Sequence, residues 1–363
     1  MKEVAIKEIC TKGSSSLKQK ELLPEGKYPV YGASGIAGYL DTFHQGSNYI
    51  GIVKDGSGIG RVAFYPEKTS LIGTMQYILP KKGFNIRYIG YCLQSLDLSK
   101  YKQGAAIPHI YFRDYGERIV KVTDDENEQL SIVSRLDAAF AHIDALKANA
   151  EKQLAEARQL FQAELAECMR PKEGWEEKKI KDVGEVIGGT TPSTSNSEFW
   201  GGDICWISPA ELHGEHYLYD SVKKITPKAV AAKSLKELPE GTVILSSRAP
   251  IGKIAINKVP MYCNQGFKCV VCGPELFNEY LYWWFYGKKD YLNSLGTGAT
   301  FPEISKTVVE DIVIPIAPMN EQQSIVSHLD ALSANIKKLE EVQRKTLAEC
   351  DALKQAMLRE VFE

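Results

Sequence analysis

The sequence predicts a mixed α/β protein, α+β in type, in which two related globular units are joined by two long helices that pair as a coiled coil. Three observations lead to this prediction. The chain has 363 residues, of which 44% are hydrophobic and 25% charged, which is the balance of a globular protein of two or three units. The second observation is an internal repeat, and the third is a heptad pattern in each copy of that repeat.

The repeat is clearest in its helical part. Residues 127–146 read NEQLSIVSRLDAAFAHIDAL and residues 320–339 read NEQQSIVSHLDALSANIKKL, which agree at 13 of 20 positions. Upstream, GAAIPHI (104–110) matches GATFPEI (298–304), and IGRVA (59–63) matches IGKIA (251–255). A repeat with this period indicates duplication of a whole structural plan. The predicted boundaries are 1–122 for the first globular unit, 123–170 for the first helix, 171–316 for the second unit and 317–363 for the second helix.

Each globular unit is predicted to contain a matching pair of strands. In the first copy these are NYIGIV (48–53) and RVAFY (61–65), joined by a glycine-rich turn. In the second copy they are GTVILSS (241–247) and GKIAIN (252–257), joined by a turn with proline. Glycine and proline satisfy the backbone requirements of such turns.

The helical segments carry apolar residues at alternating steps of three and four, which is the seam of a coiled coil. Neither seam contains glycine or proline, and a helix of about 40 residues is about 60 Å long. The alternative is an ordinary surface helix packed on its own unit. The first predicted seam is Leu136, Ala139, Ile143, Leu146, Ala150, Gln153, Ala157, Leu160 and Glu164. The second is Leu329, Leu332, Ile336, Leu339, Gln343, Thr346, Cys350, Leu353 and Met357.

Polar residues interrupt both seams near their middles, at Gln153 in the first and at Gln343 and Thr346 in the second. In an antiparallel pair these side chains would meet in one layer and fix the register of the helices. The alternative is that they are partly solvated and have no such role.

The sequence carries few signs of catalytic chemistry. The run Gly56-Ser57-Gly58-Ile59-Gly60 is followed by a predicted strand, whereas a phosphate loop needs a helix there. Neither a P-loop, a G-x-S-x-G nor an H-E-x-x-H motif occurs, and the Asn-Pro-Pro-Tyr type of tetrapeptide of adenine methyltransferases is missing. Cys269 and Cys272 are predicted to pack as small apolar groups in a strand, and His213 and His216 lack further ligands. We therefore predict a non-catalytic chain with no cofactor or metal of its own.

Charge is distributed unevenly, although the formal net charge is only −2. Residues 1–122 carry 17 Lys and Arg against 10 Asp and Glu, whereas residues 171–316 carry 16 against 18. A basic unit suggests nucleic acid as a partner. The start of the chain has no apolar signal segment and no run is long enough for a membrane span, so we expect a cytoplasmic protein without a disulfide framework.

Side chains suited to DNA contact cluster in the predicted loops of both units. Arg, Asn and Gln can read base edges, while Lys, Ser and Thr mainly hold phosphates. The candidates in the first unit are Lys54, Ser57, Arg61, Gln76, Lys102, Gln103, Tyr111 and Arg113. Those in the second are Thr190, Thr191, Ser193, Ser246, Ser247, Arg248, Lys253, Asn264, Gln265 and Lys268. Any one of them alone could equally be a solvated surface group.

Along essentially its full length the chain resembles the specificity subunit of Type I restriction–modification systems. The resemblance is densest in GGTTPSTSNSEFWGGDICWISPAEL (188–212), SSRAPIGKIAI (246–256), GTGATFPEIS (296–305) and VIPIAPMNEQQSIVSHLD (313–330). It implies two target-recognition domains, each reading one half of a bipartite double-stranded DNA target. It also implies that the helices pair antiparallel, hold these domains apart and dock two modification subunits, which methylate adenine at N6 with S-adenosylmethionine. Restriction subunits would add ATP- and Mg²⁺-dependent translocation and cleavage.

Two departures from this pattern lead to further expectations. Lys-Val-Thr-Asp-Asp-Glu (121–126) precedes the first helix where the second copy has Ile-Pro-Ile-Ala-Pro (314–318), so the entry into the first helix is expected to differ in angle. Because the second unit is not basic, the isolated chain is expected to bind DNA weakly and with a shallow salt dependence.

Three other functions fit parts of the pattern. One is the specificity subunit of a Type IIB or fused restriction enzyme, which the sequence alone does not separate from the Type I case. A helical scaffold whose heads bind proteins is a second, and the basic first unit argues against it. The third is an endonuclease, which the missing motifs argue against.

Overall fold

The computed structural model describes residues 1–104, 108–248, 250–298 and 302–363. The repeated motifs around 105–107 and 299–301, and the turn at 249, therefore lie partly outside the described residues. The fold is mixed α/β, as predicted. The chain divides into two compact units, Met1–Lys152 with Val342–Glu363 (unit 1) and Gln153–Glu341 (unit 2).

Unit 1 is built on a four-stranded antiparallel sheet in the order β2-β8-β5-β6. A three-stranded sheet (β4-β3-β7) and the pair β1-β9 complete it. The strands are β1 (Lys2–Ala5), β2 (Cys10–Ser14), β3 (Tyr28–Gly32), β4 (Gly35–Leu40), β5 (Tyr49–Val53), β6 (Val62–Tyr65), β7 (Ser70–Leu71), β8 (Met75–Pro80) and β9 (Ile119–Val122). The helices are α1 (Ile6–Ile9), α2 (Ile86–Ser95), α3 (Phe112–Tyr115) and the first part of α4 (Glu126–Cys168).

Unit 2 has a five-stranded sheet in the order β11-β18-β15-β16-β13, a three-stranded sheet β14-β12-β17 and the pair β10-β19. The strands are β10 (Glu176–Lys179), β11 (Gly184–Gly188), β12 (Trp200–Ile207), β13 (Tyr217–Leu218), β14 (Lys223–Ile225), β15 (Val243–Ser246), β16 (Ile254–Asn257), β17 (Tyr262–Cys263), β18 (Phe267–Cys272) and β19 (Val313–Ile316). The helices are α5 (Ile180–Val183), α6 (Pro227–Lys233), α7 (Asn278–Gly287), α8 (Lys289–Ser294), α9 (Lys306–Glu310) and α10 (Met319–Phe362), whose last part belongs to unit 1.

The predicted strand pairs are confirmed in both copies. β5 pairs with β6 and β15 pairs with β16, each antiparallel. All residues of β5, β15 and β16 are buried, which explains why these strands are mostly apolar, with only Ser246 and Asn257 as polar residues at strand ends. The two pairs therefore form matching centres of the two units.

The repeated NEQ triplet has a structural role at the start of each long helix. Gln129 is fully buried, donates to the carbonyls of Gly83 and Thr123, and accepts from the amide of Asn85 at 2.7 Å. Its counterpart Gln322 makes the same three kinds of bond in unit 2. Each glutamine thus satisfies buried backbone groups of the loop before α2 or α7, which ties that loop to the long helix.

The long helices are antiparallel within each unit. In unit 1 the Lys147 Nζ lies 2.7 Å from Asp351 Oδ1, and Lys354 Nζ lies 2.5 Å from Asp144 Oδ1. As the residue number falls by three in α4 it rises by three in α10, which is the signature of antiparallel helices. In unit 2, Arg158 binds Glu340 at 2.6 Å. The two helices begin at equivalent positions, residues 126 and 319.

The predicted seam register needs correction at four positions. Leu146, Leu160 and Leu353 are 57%, 71% and 51% exposed, and Gln153 is also exposed. The interior of the pair instead includes the residues one step further along, Lys147, Leu154, Phe161 and Lys354, together with Phe140. Both registers share every seventh position, so the heptad period alone does not choose between them.

The remaining predicted seam residues lie inward. Gln343 and Cys350 are buried, and Thr346 is half-buried with its hydroxyl bonded to the carbonyl of Val342. Gln153 is exposed and Gln343 is buried, and the polar layer formed by these residues stays a prediction. The other inward residues are Leu136, Ile143, Ala150 and Leu329, which are buried, and Ala139, Ala157, Glu164, Leu332, Ile336, Leu339 and Met357, which are half-buried.

Among the residues that the structure describes, no helix is long and apolar enough to cross a bilayer. All eight cysteines are free thiols.

Candidate nucleic-acid interface

In unit 1 two distant segments form one surface through backbone hydrogen bonds. The amide of Gly56 donates to the carbonyl of Pro108 at 3.1 Å, and the amide of Ile110 donates to the carbonyl of Lys54 at 2.9 Å. Gln103 and His109 exchange two backbone bonds of 2.8 Å. Residues 54–57 therefore lie beside residues 103–104 and 108–113, although about 50 residues separate them in sequence.

The side chains of this surface are charged and aromatic. Asp55 binds His109 Nδ1 at 2.6 Å through one carboxylate oxygen and Lys54 Nζ at 2.6 Å through the other. The Arg113 guanidinium lies over the ring of Tyr111, 4.7 Å from its centroid. Tyr111 is 43% exposed, so an aromatic ring backed by a cation faces solvent. Such a group can contact a phosphate or the edge of a base.

Six of the eight candidates in unit 1 are exposed, namely Ser57, Arg61, Lys102, Gln103, Tyr111 and Arg113. Lys54 is half-buried by its contact with Asp55. Gln76 is a correction, because it lies on β8, is only 2% exposed and donates to the Tyr115 hydroxyl in the interior. Arg61 donates to the carbonyl of Ala33.

Unit 2 has the same backbone arrangement. The amide of Ile304 donates to the carbonyl of Ser247 at 2.9 Å, as Ile110 does to Lys54. Arg248 and Glu303 form an isolated bridge, as do Asp55 and His109. Thr297 pairs with Glu303 as Gln103 pairs with His109. These correspondences follow offsets of 193 and 194, so they are products of the repeat.

The acid of this bridge stands on opposite sides in the two units. In unit 1 an acid, Asp55, faces His109. In unit 2 a base, Arg248, faces the acid Glu303 at 2.9 Å. We call these two side-chain pairs the bridge pairs. The backbone is thus repeated while the chemistry presented at its surface is reversed.

A second cation, Lys268, reinforces the bridge pair of unit 2. Its ammonium lies 3.3 Å from Glu303 Oε1 and 3.1 Å from Ser247 Oγ. Burial raises the pKa of Glu303, but the hydrogen bonds from Arg248 and Lys268 outweigh it and keep that pKa below its ordinary value. The carboxylate is therefore charged at neutral pH and offsets part of the positive charge of this surface.

The candidate DNA-contact residues of unit 2 fall into an exposed, a half-buried and a buried group. Thr190, Ser193, Arg248 and Gln265 are exposed, and Thr191 donates from its hydroxyl to Gln265. Asn264 accepts from the amide of Gly266, and Lys253 donates to the carbonyls of Pro209 and Leu212, so both hold loops in place. Ser246, Ser247 and Lys268 are corrections, since they are 0%, 0% and 9% exposed and bond within the unit.

The residues considered for metal binding are engaged in other ways. Cys269 and Cys272 lie three positions apart on β18, so their side chains point to opposite faces of the sheet and do not meet at one ion. His216 stacks between Tyr217 and Tyr282 and binds the buried carboxylate of Glu279 at 2.8 Å. This histidine is part of the core.

A family profile described as the Type I restriction modification DNA specificity domain matches residues 1–156 and 172–349. The two matched segments correspond to the two copies of the repeat and together cover most of the chain. The chain belongs to this Type I restriction–modification DNA specificity family.

Two relatives illustrate the similarity. The chain is 45% identical over 182 residues to the Type I restriction enzyme MjaIX specificity subunit of Methanocaldococcus jannaschii, covering 48% of this chain and 42% of that one. It is 28% identical over 255 residues to the EcoR124I/EcoR124II specificity subunit of Escherichia coli, covering 68% of this chain and 62% of that one. The matches thus span less than two thirds of these curated relatives.

The fold of this specificity-family chain also matches a solved structure. A chain from a structural study of complex assembly and conformational transition of the type I R-M system superimposes with a TM-score of 0.77. The match covers 99% of this chain and 97% of that one at 18% identity, so it supports the shared fold.

Sequence reasoning missed Asp55, His109 and Glu303 at the interface of this specificity-family chain. The signal was available, because His109 and Glu303 occupy the same place in the repeated motifs GAAIPHI and GATFPEI. Their partners Asp55 and Arg248 follow the strands β5 and β15 at equivalent distances. Comparing the two copies position by position for a change of charge would have identified both pairs.

Proposed function

We propose that this chain is the DNA-binding specificity subunit of a Type I restriction–modification complex. Each of the two units would read one half of a bipartite, asymmetric target, and the paired helices would set the spacer between the halves. The observation that carries this proposal is the repeated surface. Two loop clusters lie on the same backbone arrangement in the two units, and they present different side chains.

The physical argument begins with the difference between the two surfaces. Unit 1 presents Ser57, Gln103, Tyr111 and Arg113, whereas unit 2 presents Thr190, Ser193, Arg248 and Gln265. Donors and acceptors of these types distinguish bases in the major groove. Because the two sets differ, the two half-sites should differ in sequence, while similar backbones allow both units to approach DNA in a similar way.

The same proposal assigns chemistry to partner subunits. Two modification subunits docked on the helices would methylate adenine at N6 with S-adenosylmethionine, and restriction subunits would use ATP and Mg²⁺. This chain would contribute recognition and no cofactor, and it would act in the cytoplasm, where the DNA is. Since Glu303 offsets charge on unit 2, the isolated chain should bind DNA weakly and rely on the modification subunits for affinity.

The test is methylation-sensitive long-read sequencing of DNA from a methylation-free host that expresses this chain with its neighbouring modification subunit. We expect a bipartite N6-methyladenine motif that disappears when this chain is omitted. If a soluble complex forms and no such motif is found, the proposal is wrong.

Variants that each change one unit make the test more specific. Arg113→Ala in unit 1 and Gln265→Ala in unit 2 remove exposed side chains, so neither should affect folding. Each variant is expected to lower methylation or relax base preference at only one half-site. The affected half-site should differ between the two variants. A change spread equally over both half-sites in both variants would contradict the assignment of one unit to each half.

A further inference from the structure

Three side chains with different metal-binding atoms meet in unit 2, on the long helices. Glu164 and Cys168 lie four residues apart on α4, on the same face of the helix, and His328 faces them from α10. His328 Nε2 lies 3.0 Å from Glu164 Oε1, and Cys168 Sγ lies 3.8 Å from the same oxygen. The three ligand atoms all lie within 4.8 Å of one another.

These distances suit one small divalent cation. Ligand atoms that bind Zn²⁺ at about 2.0–2.3 Å lie roughly 3.3–3.8 Å apart when they are tetrahedral. The three atoms therefore need shifts of only a few tenths of an ångström to about one ångström to surround an ion. An imidazole nitrogen, a thiolate and a carboxylate are also the ligand types that Zn²⁺ takes in proteins.

Access and geometry favour binding as well. The side chains of His328 and Glu164 are 50% and 42% exposed, so an ion can enter from solvent. Three ligands leave a fourth position, which water can occupy. Because the ligands come from both helices, a bound ion would link α4 to α10.

The internal repeat provides a comparison within the chain. At an offset of 193, His328 corresponds to Arg135, Glu164 to Met357 and Cys168 to Val361. None of these three counterparts is a zinc ligand of the usual kind. Pairing of the long helices therefore does not require ligand-type residues at these positions, and their presence together in unit 2 calls for another explanation.

We propose that Glu164, Cys168 and His328 form a zinc site that fastens α4 to α10 within unit 2. Burial and the Glu164 carboxylate raise the pKa of the Cys168 thiol, so the thiol is protonated in the absence of metal. Binding then exchanges the thiol proton for the metal ion, with no change of oxidation state. This site does not depend on the proposed role in DNA recognition.

The experiment uses the full chain, treated with a chelator and then dialysed. Titration with Co²⁺ is expected to produce the charge-transfer absorption of a cobalt–thiolate bond at one equivalent, and Zn²⁺ is expected to displace the cobalt and raise the Tm. Absence of a cobalt–thiolate band together with an unchanged Tm in Zn²⁺ would overturn the proposal.

Variants locate the site. His328→Arg is the informative one, because arginine stands at the corresponding position of the first copy and can still pair with Glu164. It should fold normally, as judged by circular dichroism, and lose the rise in Tm on adding Zn²⁺. Cys168→Ser should lose the cobalt–thiolate band.

Cys205→Ser is the matched control, since Cys205 is another half-buried cysteine of unit 2, bonded to Lys224 and Asp220. It should keep both signals. A band that survives Cys168→Ser and disappears in Cys205→Ser would place the metal elsewhere and refute the site.

Discussion

At the scale of single residues, the bridge pairs show how a duplicated surface diverges. Asp55 with His109 and Arg248 with Glu303 join equivalent backbone segments while placing the acid on opposite sides of the bridge. The sequence predicted that the surrounding loops matter, but not that these side chains pair. Each pair joins segments about 50 residues apart, and such contacts are not visible in local patterns.

The bridge pair of unit 2 gives a prediction about stability. Glu303→Gln removes the carboxylate that faces both Arg248 and the buried ammonium of Lys268, so we expect the free energy of unfolding to fall by about 1–2 kcal/mol at neutral pH. The pKa of Glu303 is lowered in the folded state, so its contribution is present at neutral pH and is lost as pH falls through that pKa. Chemical denaturation of wild type and variant, at neutral pH and at an acidic pH below the pKa of Glu303, measures the difference in their free energies of unfolding. This difference should be smaller at the acidic pH.

Glu198→Gln is the control for that prediction. Glu198 binds Lys228 in an exposed pair, with side chains 62% and 60% exposed, and such pairs contribute little. An equal loss in both variants would mean that Glu303 acts as an ordinary surface carboxylate.

At the scale of elements, the sequence predicted the long helices and their period well but chose the wrong residue at four seam positions. Positions 136, 143, 150 and 157 belong to the interior in either register. At the inward position between residues 143 and 150, a hydrophobicity pattern selects Leu146 over Lys147. In the structure Lys147 is the half-buried residue, because its ammonium pairs with Asp351 on the facing helix. A long lysine stem can cover apolar surface while its charge finds a partner, which a hydrophobic pattern does not anticipate.

Neighbouring residues on α4 test the corrected register. Phe161 is 7% exposed and packs edge-on against Trp283, whereas Leu160 is 71% exposed. Phe161→Ala should lower the free energy of unfolding by about 3 kcal/mol, and Leu160→Ala should change it by less than about 0.5 kcal/mol. Urea denaturation of the two variants decides the matter, and the opposite order would restore the register predicted from the sequence.

At the scale of the whole molecule, the repeat predicted two related globular units and two helices, and the described structure contains them. The compact units nevertheless cut across the linear boundaries, because each takes part of both long helices. Residues 342–363 belong with residues 1–152, and only their packing in the folded chain reveals this. A duplication can be recognised from the sequence. Which unit each part of a long helix belongs to depends on the contacts of that part in the folded chain.

The role proposed for the helices predicts how target spacing responds to their length. Inserting seven residues into each helix, after Lys152 in α4 and after Glu341 in α10, nearly preserves the seam because seven residues make close to two turns. Each helix grows by about 10 Å, so the spacer should lengthen by about three base pairs with unchanged half-sites. Sequencing of the methylated motif measures this. A variant in which seven existing surface positions are replaced by alanine, without insertion, is the control for length.

If the insertion variant methylated altered half-sites at an unchanged spacing, the role proposed for the helices would be wrong.

The ion pairs between the long helices also favour pairing of α4 with α10 over pairing of two copies of the same helix. Lys147 of α4 faces Asp351 of α10, and Arg158 of α4 faces Glu340 of α10, so α4 supplies the base in these two pairs. In the pair of Asp144 with Lys354 the base comes from α10 instead. Because the helices are related by an offset of 193, two copies of α4 paired in the same antiparallel way would bring Lys147 against Arg158. Two copies of α10 would bring Glu340 against Asp351. Charge at these four positions therefore opposes pairing of two copies of α4 or of two copies of α10, and it favours pairing of α4 with α10.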